Sequence, residues 1–306
     1  MTRTFIRHLG QTMILTPEII KQEYEKNSDL ITIKESVKHP GLFVLKYKRK
    51  VFYDNLWNTF LEECRGLVVD KDWNIIQRPF LKIYNYGIEK EAPVLQDDDL
   101  VVVQQKINGF MVAVSWHNGN LIVSTTGSLD SGFVDIARNW LNDVVFDWKF
   151  YDGYTFLFEC CDPSDPHIIG HDPGLYLLGL RNKFTGTVTP ITTYSINMEN
   201  VFSVPLSQWS VAQLKNAVRT VKHEGFVFYS WDERSISSKI KSPYYLTKKF
   251  LMRTNINKIM ALQRSQVQDE EFWPLIQYIQ EVDSDEFSNL DELSKREYIE
   301  NWFNKE

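Results

Sequence analysis

The stretch Asp99–Ser128, DLVVVQQKINGFMVAVSWHNGNLIVSTTGS, constrains the fold more than any other part of the chain. It contains three β-rich runs, and the turn sequence HNGN at 117–120 joins the second to the third as a hairpin. Such runs require an antiparallel sheet with a buried face. The first run ends on Lys106, which puts an ammonium group at the edge of a core. A glycine after Asn108 fits a tight turn into the next strand, and that turn would present Lys106 at the lip of a sheet. Apolar and cationic surroundings there would favour a neutral, nucleophilic amine. The competing reading of KING alone is a surface hairpin lysine.

Strands and helices alternate along the rest of the chain. TPEIIKQEYEKNS (16–28) has a Thr-Pro start and helical spacing, and GLFVLKYKR (41–49) reads as a strand. RGLVVDKDWNIIQRPF (65–80) reads as a hairpin around DKDWN. A helix is expected in GFVDIARNWLNDVVFDWKF (132–150), followed by strands YTFLFECC (154–161) and GLYLLGL (174–180). SVAQLKNAVRTV (210–221) reads as a helix, and EGFVFYSW (224–231) and SISSKIKS (235–242) as strands. INKIMALQRSQ, DEEFWPLIQYIQEV and NLDELSKREYIENWF, all beyond residue 254, are helical and polar. The expected class is therefore α+β, with antiparallel sheets and flanking helices over residues 1–250 and a small all-helical unit over 251–306.

A net charge of −6 argues against a nucleic-acid partner until its distribution is considered. Residues 254–306 hold 5 Lys and Arg against 12 Asp and Glu, which leaves 29 against 28 for residues 1–253. The acidity belongs to the tail. LKYKRK (45–50) and LTKKFLMR (246–253) are local basic clusters able to face phosphates. No apolar run reaches the roughly 18 residues of a membrane span, and the N-terminal MTRTFIRHLGQTMILTPEII lacks the apolar core of a signal peptide. Cys64, Cys160 and Cys161 fit neither a zinc site nor a disulfide scaffold, and reduced thiols in a cytoplasmic protein are expected.

Further polar residues occupy unexpected strand positions. Glu159 follows Phe156, Leu157 and Phe158, so its carboxylate requires a partner, such as a hydroxyl or a buried cation. Glu224 opens a strand beside a glycine, where it could place a metal or simply cap the strand. Lys239 and Lys241 alternate along a strand and so face one side, where they repel unless solvated or bridged by an anion.

In order, KING, FLFE, LYLLGLRN, HEGFVF and KIK resemble the nucleotidyltransferase motifs of ATP-dependent polynucleotide ligases and capping enzymes. Upstream, LKYKR, ECRGLVVD and QRPFLKIYNYG are similar to the phosphate-binding segment of RNA ligases of the bacteriophage T4 RNA ligase 1 type. The resemblance covers about residues 45–245 and implies an ATP-grasp-like ligase domain. It implies that Lys106 attacks the α-phosphate of ATP and carries AMP. Tyr47, Arg65 and Lys82 would bind the outer phosphates, Gln105 the adenine and Glu159 the ribose, while Gly109 would let the backbone approach the nucleotide. Glu224 would place Mg²⁺ or Mn²⁺, and Lys239 and Lys241 would stabilise charge on the α-phosphate. The implied partner is RNA with 5′-phosphate and 3′-hydroxyl ends, joined by a monomer of phage or other viral origin, with no membrane.

Three positions depart from that pattern. Asn108 stands where Asp is usual, and Phe110 where Ser or Thr is common; Thr126 also replaces a basic residue. Asn108 and Phe110 motivate a second reading, an RNA-binding module that has lost the chemistry. A GTP-using capping-type enzyme is the other alternative. A DNA ligase would continue into a β-barrel, whereas this tail reads as helices. His167 and His171 have helical spacing in a Pro- and Gly-rich segment, which makes a loop the better reading than a metal site. Tyr176 or Phe226 could stack on a base or pack in a strand.

Overall fold

The computed structural model describes residues 13–230, 236–267 and 269–305. Residues 1–12, and Trp231 and Ser235 at the ends of two expected strands, lie outside these. Strands β1 (Ile31–Glu35), β2 (Leu42–Tyr47), β3 (Arg65–Asp70) and β4 (Ile75–Gln77) form an antiparallel sheet in chain order. Helices α1 (Pro17–Lys26), α2 (Arg49–Tyr53) and α3 (Thr59–Glu63) cover it, packing Ile20, Val51 and Phe60 on Leu45 and Leu67. Helix α1 starts where its sequence dictates: Thr16 Oγ1 accepts the Ile19 amide at 3.3 Å, and Pro17 occupies the first turn.

The remaining strands are β5 (Leu100–Gln105), β6 (Phe110–His117), β7 (Asn120–Ser124), β8 (Tyr154–Cys161), β9 (Gly174–Asn182), β10 (Val188–Pro190), β11 (Phe202–Ser203), β12 (Leu206–Ser210), β13 (Gly225–Ser230) and β14 (Ile236–Lys241). They divide into two sheets. One has the order β10-β9-β8-β6-β7, with β11 parallel on β9; the other is β12-β5-β13-β14. Side-chain alternation along β5 fixes how the layers stack. Val101 and Val103 face the helix at Val211–Val218 and Phe228, while Val102 joins Met111, Ala113, Leu157 and Tyr229 between the two sheets.

This arrangement changes the expected turn at Lys106. The predicted β6–β7 hairpin forms, but β5 and β6 do not pair with each other. Lys106–Gly109 is instead a crossover from one sheet to the other. Its first amide stays in register, donated by Lys106 to the Gly225 carbonyl at 2.9 Å. The lysine therefore sits at the mouth between two sheets.

The helices complete the layers: α4 (Gly132–Leu141), α5 (Thr193–Ile196), α6 (Val211–Val218), α7 (Pro243–Arg253), α8 (Trp273–Glu281), α9 (Ser284–Asn289) and α10 (Glu292–Lys305). Tyr245, Leu246 and Phe250 of α7 share a core with Phe272, Ile276, Ile299 and Phe303. LTKKFLMR belongs to α7, and its Lys249 is buried against Asp269 instead of facing a phosphate. The start of α7 is locally encoded, with Ser242 Oγ accepting the Tyr245 amide and Pro243 following it. INKIMALQRSQ forms short 3₁₀ turns at Ile256–Ala261 and Arg264–Gln266 in place of the expected α-helix. Asn255 caps the first turn, and the Gln263–Gln266 pair starts a new one.

Glu63, Arg78 and Arg181 form a fully buried ionic cluster. Glu63 Oε1 lies 2.7 Å from a guanidinium nitrogen of each arginine. Burial alone would push the Glu63 carboxyl up, but the two guanidinium groups outweigh it and hold it below its ordinary value. ECRG and QRPF are thus partly structural signatures. Their Glu63 and Arg78 tie the first sheet to β9, and in doing so set the positions of Arg65 and Lys82 nearby.

Candidate active site

Where the three sheets meet there is a cavity of about 310 Å³. Its lining includes Tyr47, Arg65 and Lys82 from the first sheet and the segment after it, Gln105, Lys106 and Glu159 at the crossover, and Glu224, Lys239 and Lys241 at β13 and β14. Nine of the ten residues to which the resemblance gives a site role thus share one cavity. Gly109 is the exception. A Cβ there would stand 2.2 Å from the Cys160 carbonyl oxygen, so glycine is needed for close approach to the β8 backbone.

Two carboxylates flank Lys106. Glu224 Oε1 is 3.1 Å from Nζ, and Glu159 Oε1 accepts the Gly109 amide at 3.0 Å. The lysine side chain is 23% exposed and that of Glu224 is 4% exposed, so the amine is reachable while its partner is fixed. Burial pushes the Glu159 carboxyl up, and nearby Lys106 only partly offsets this. Burial also pushes on Glu224, but Lys106 and Lys241 outweigh it and hold that carboxyl below its ordinary value. Asn108 explains its own presence. Its Nδ2 donates to Glu224 Oε2 at 2.7 Å and its Oδ1 accepts the Ile169 amide at 3.0 Å. An aspartate would set a second carboxylate against Glu224. Phe110 packs edge-on against Phe133 of α4, which accounts for an apolar residue there.

Opposite the crossover, the lysines form a cationic wall. Burial, then repulsion from Lys241 and Lys82, pushes Lys239 down to about 7. Burial also disfavours charge on Lys241, but Glu271 and Glu224 outweigh it and raise this lysine. Lys82 Nζ lies 2.8 Å from Glu89 Oε1 and 3.1 Å from Glu270 Oε1, over the rings of Trp57 and Tyr84. Against the pull of burial, Glu270 and Glu89 raise its pKa.

Glu89, Glu270 and Glu271 were not singled out from the sequence. For Glu270 and Glu271 the signal was the acidic DEEF at 269–272, which reads equally well as part of an exposed helix; Glu89 had none. Neither Tyr176 nor Phe226 lines the cavity: Tyr176 stacks on Phe202 at 4.7 Å, and Phe226 packs against Trp209 and His223. The apolar wall comes from residues such as Ile107, Met111 and Leu178. His167 and His171 lie in the loop before β9, with His167 bonded to Asp165 at 2.9 Å. Among the described residues no group of three or more His, Cys, Asp or Glu could by itself hold a metal ion.

The profile of the T4 RNA ligase 1 family, described as RNA ligase, matches residues 63–250, more than half of the chain. The chain belongs to this RNA ligase family. Its match spans the Glu63 cluster, the crossover lysine and both motif lysines of β14. Among solved structures, an archaeal ATP-dependent RNA ligase in its form 2 superposes with a TM-score of 0.59 at 15% identity, covering 94% of this chain and 78% of that one. Form 1 gives 0.58 at 14%, covering 95% and 78%. A putative ATP-dependent DNA ligase from Aquifex aeolicus gives 0.56 at 15%, covering 93% and 77%. These likenesses establish a shared ligase fold. Curated protein sequences give no match. No helix among the described residues of this RNA ligase is long and apolar enough to cross a membrane.

Proposed function

We propose that this RNA ligase uses ATP and works through a lysine-bound AMP. In the first step the lone pair of Lys106 Nζ attacks the α-phosphorus; the N–P bond forms, the bond to the pyrophosphate leaving group breaks, and the protons lost from Nζ pass to solvent. One observation carries the reading. A reachable amine and a wall of lysines share a cavity large enough for the reacting part of a nucleotide. Glu224 holds the amine, and Lys239 and Lys241 face the charge that develops on the α-phosphate. Tyr47, Arg65 and Lys82 receive the departing phosphates, while Gln105 meets the adenine and Glu159 the ribose. Gly109 contributes by holding the crossover against β8. AMP then passes to an RNA 5′-phosphate, and a 3′-hydroxyl displaces it to seal the strand.

The residues present fit a divalent cation. An ammonium at Lys106 offsets Glu159 and Glu224; in the phosphoramidate the nitrogen carries no charge and the attached phosphoryl adds a negative one, so the two neighbouring carboxylates are left under-compensated. Mg²⁺ or Mn²⁺ held by Glu224, with phosphates and water as its other ligands, would restore the balance and neutralise phosphate charge. We assign the adenylylation chemistry to residues 1–250 and a helical unit, packed on α7, to 251–306, in a monomer acting in the cytoplasm. Buried, free Cys64, Cys160 and Cys161 agree with a reducing compartment.

The test is covalent labelling. Wild-type protein incubated with α-labelled ATP and magnesium, then denatured, should retain label that Lys106→Ala abolishes. Label from GTP alone would instead indicate capping chemistry. Absence of label from folded protein freed of bound AMP would leave only an RNA-binding role.

A further inference from the structure

Three consecutive carboxylates beyond the last strand enter the lysine cluster. Glu270 accepts from Lys82 at 3.1 Å and from Asn85 Nδ2 at 2.8 Å, and it lines the cavity itself. Glu271, buried, pairs with Lys241 and lies 3.5 Å from Lys249. Asp269 pairs with Lys249 and lies 3.6 Å from Arg253. Val267 before them and Phe272 behind them are buried in the helical core, so the short segment is anchored on both sides and its withdrawal is a local change.

We propose that Asp269–Glu271 is an internal surrogate for the pyrophosphate leaving group, which withdraws to admit the outer phosphates of ATP and returns when pyrophosphate has left. This rests on the function proposed above. The observations go further than ordinary surface ion pairing. Two of the paired cations, Lys82 and Lys241, line the nucleotide cavity, and Lys239 between them is itself destabilised by their charge. Such a cluster requires an anion of high charge density. Three adjacent carboxylates supply about the charge of pyrophosphate near neutral pH. Glu270 and Glu271 repel each other; Lys82 and Lys239 hold the first charged and Lys241, Lys249 and Lys239 the second, so Lys239 serves both, and on withdrawal Lys82 keeps Glu89 while the rest of the cluster needs a substitute anion.

A kinetic consequence follows. In the reverse of adenylylation, a pyrophosphate oxygen attacks the phosphorus of Lys106-AMP, the P–N bond breaks, ATP re-forms and the amine takes a proton. A returned Glu270 occupies Lys82, which the incoming pyrophosphate needs. It thereby favours passage of AMP to RNA over return to ATP.

The experiment uses inorganic pyrophosphate and the full-length protein. Glu270→Gln, which can still accept from Asn85, should bind pyrophosphate on the order of fivefold more tightly than wild type by calorimetry, the effect of losing one partly exposed competing ion pair. In wild type, pyrophosphate should increase hydrogen exchange of the amides at 269–272, a readout that needs no variant to fold. Unchanged or weaker binding by Glu270→Gln, or exchange that falls or stays constant, would overturn the surrogate and make Glu270 a residue that only positions Lys82. Labelling of Lys106 from ATP, run on the same preparations, reports separately on the adenylylation reading. Tighter pyrophosphate binding without label would sink that reading and leave the competition itself established.

Discussion

Lys239 is the residue at which protonation and ligand binding are most closely linked. Burial and the neighbouring Lys241 and Lys82 push it down to about 7, while in an unfolded chain it titrates near the ordinary lysine value. Below pH 7 it is charged in both states, and the cost of confining that charge is fully present. Between pH 7 and the ordinary value the folded protein holds fewer protons than the unfolded chain, so this residue's contribution to stability rises with pH. A phosphate placed against Lys239 raises its pKa again. Pyrophosphate binding at pH 8 should therefore take up about one proton, and affinity should fall as pH rises through 7. Calorimetry in buffers of different ionisation enthalpy measures the uptake. A value near zero would mean that Lys239 stays neutral and does not meet the phosphate charge. Lys239 and its companions were legible in the sequence because charged residues interrupt strands there, which burial makes costly without a purpose. Glu270 and Glu271 were not, because a carboxylate in a polar helical tail carries no such cost until the fold brings it to a lysine.

At the level of elements, the strands were legible and their partners were not. The run from Asp99 to Ser128 yields β5, β6 and β7 close to where alternation puts them, yet β5 and β6 belong to different sheets. Periodicity reports which face is buried; it does not report what covers that face. The same limit hid the reason for the ECRG and RP signatures. Their Glu63 and Arg78 are buried with Arg181, and Arg78 also donates to the carbonyls of Met13, Lys183 and Phe184. Arg78→Met keeps much of the side-chain length and removes the charge, leaving those carbonyls without this donor. It should lower stability by about 3–5 kcal/mol in urea unfolding, the usual cost of breaking a buried ionic cluster. A loss below about 1 kcal/mol would show that Arg181 alone neutralises Glu63.

Across the whole molecule, charge and layout divide at the same place. The acidic tail forms helices whose apolar faces close on α7, and its surplus carboxylates include the three that reach the lysines. The sequence showed the composition break but not the docking, because the tail's apolar residues are also those of any helix that packs. Phe303 on α10 tests how far the chemistry depends on this closure. It is 4% exposed, packs near Phe250 and Phe272, and lines a second cavity of about 220 Å³ behind Lys239 and Lys241. Phe303→Ala should lower stability by about 3–5 kcal/mol through the void it leaves, measured by urea unfolding. The label from ATP on Lys106 should persist wherever the variant remains folded, because Glu159, Glu224, Lys239 and Lys241 are set by strands and by the Gly225 carbonyl that fixes the crossover. Loss of label from folded Phe303→Ala would show that the helical unit does more than cover the site: its packing would be needed to hold Lys241 in place for the transfer.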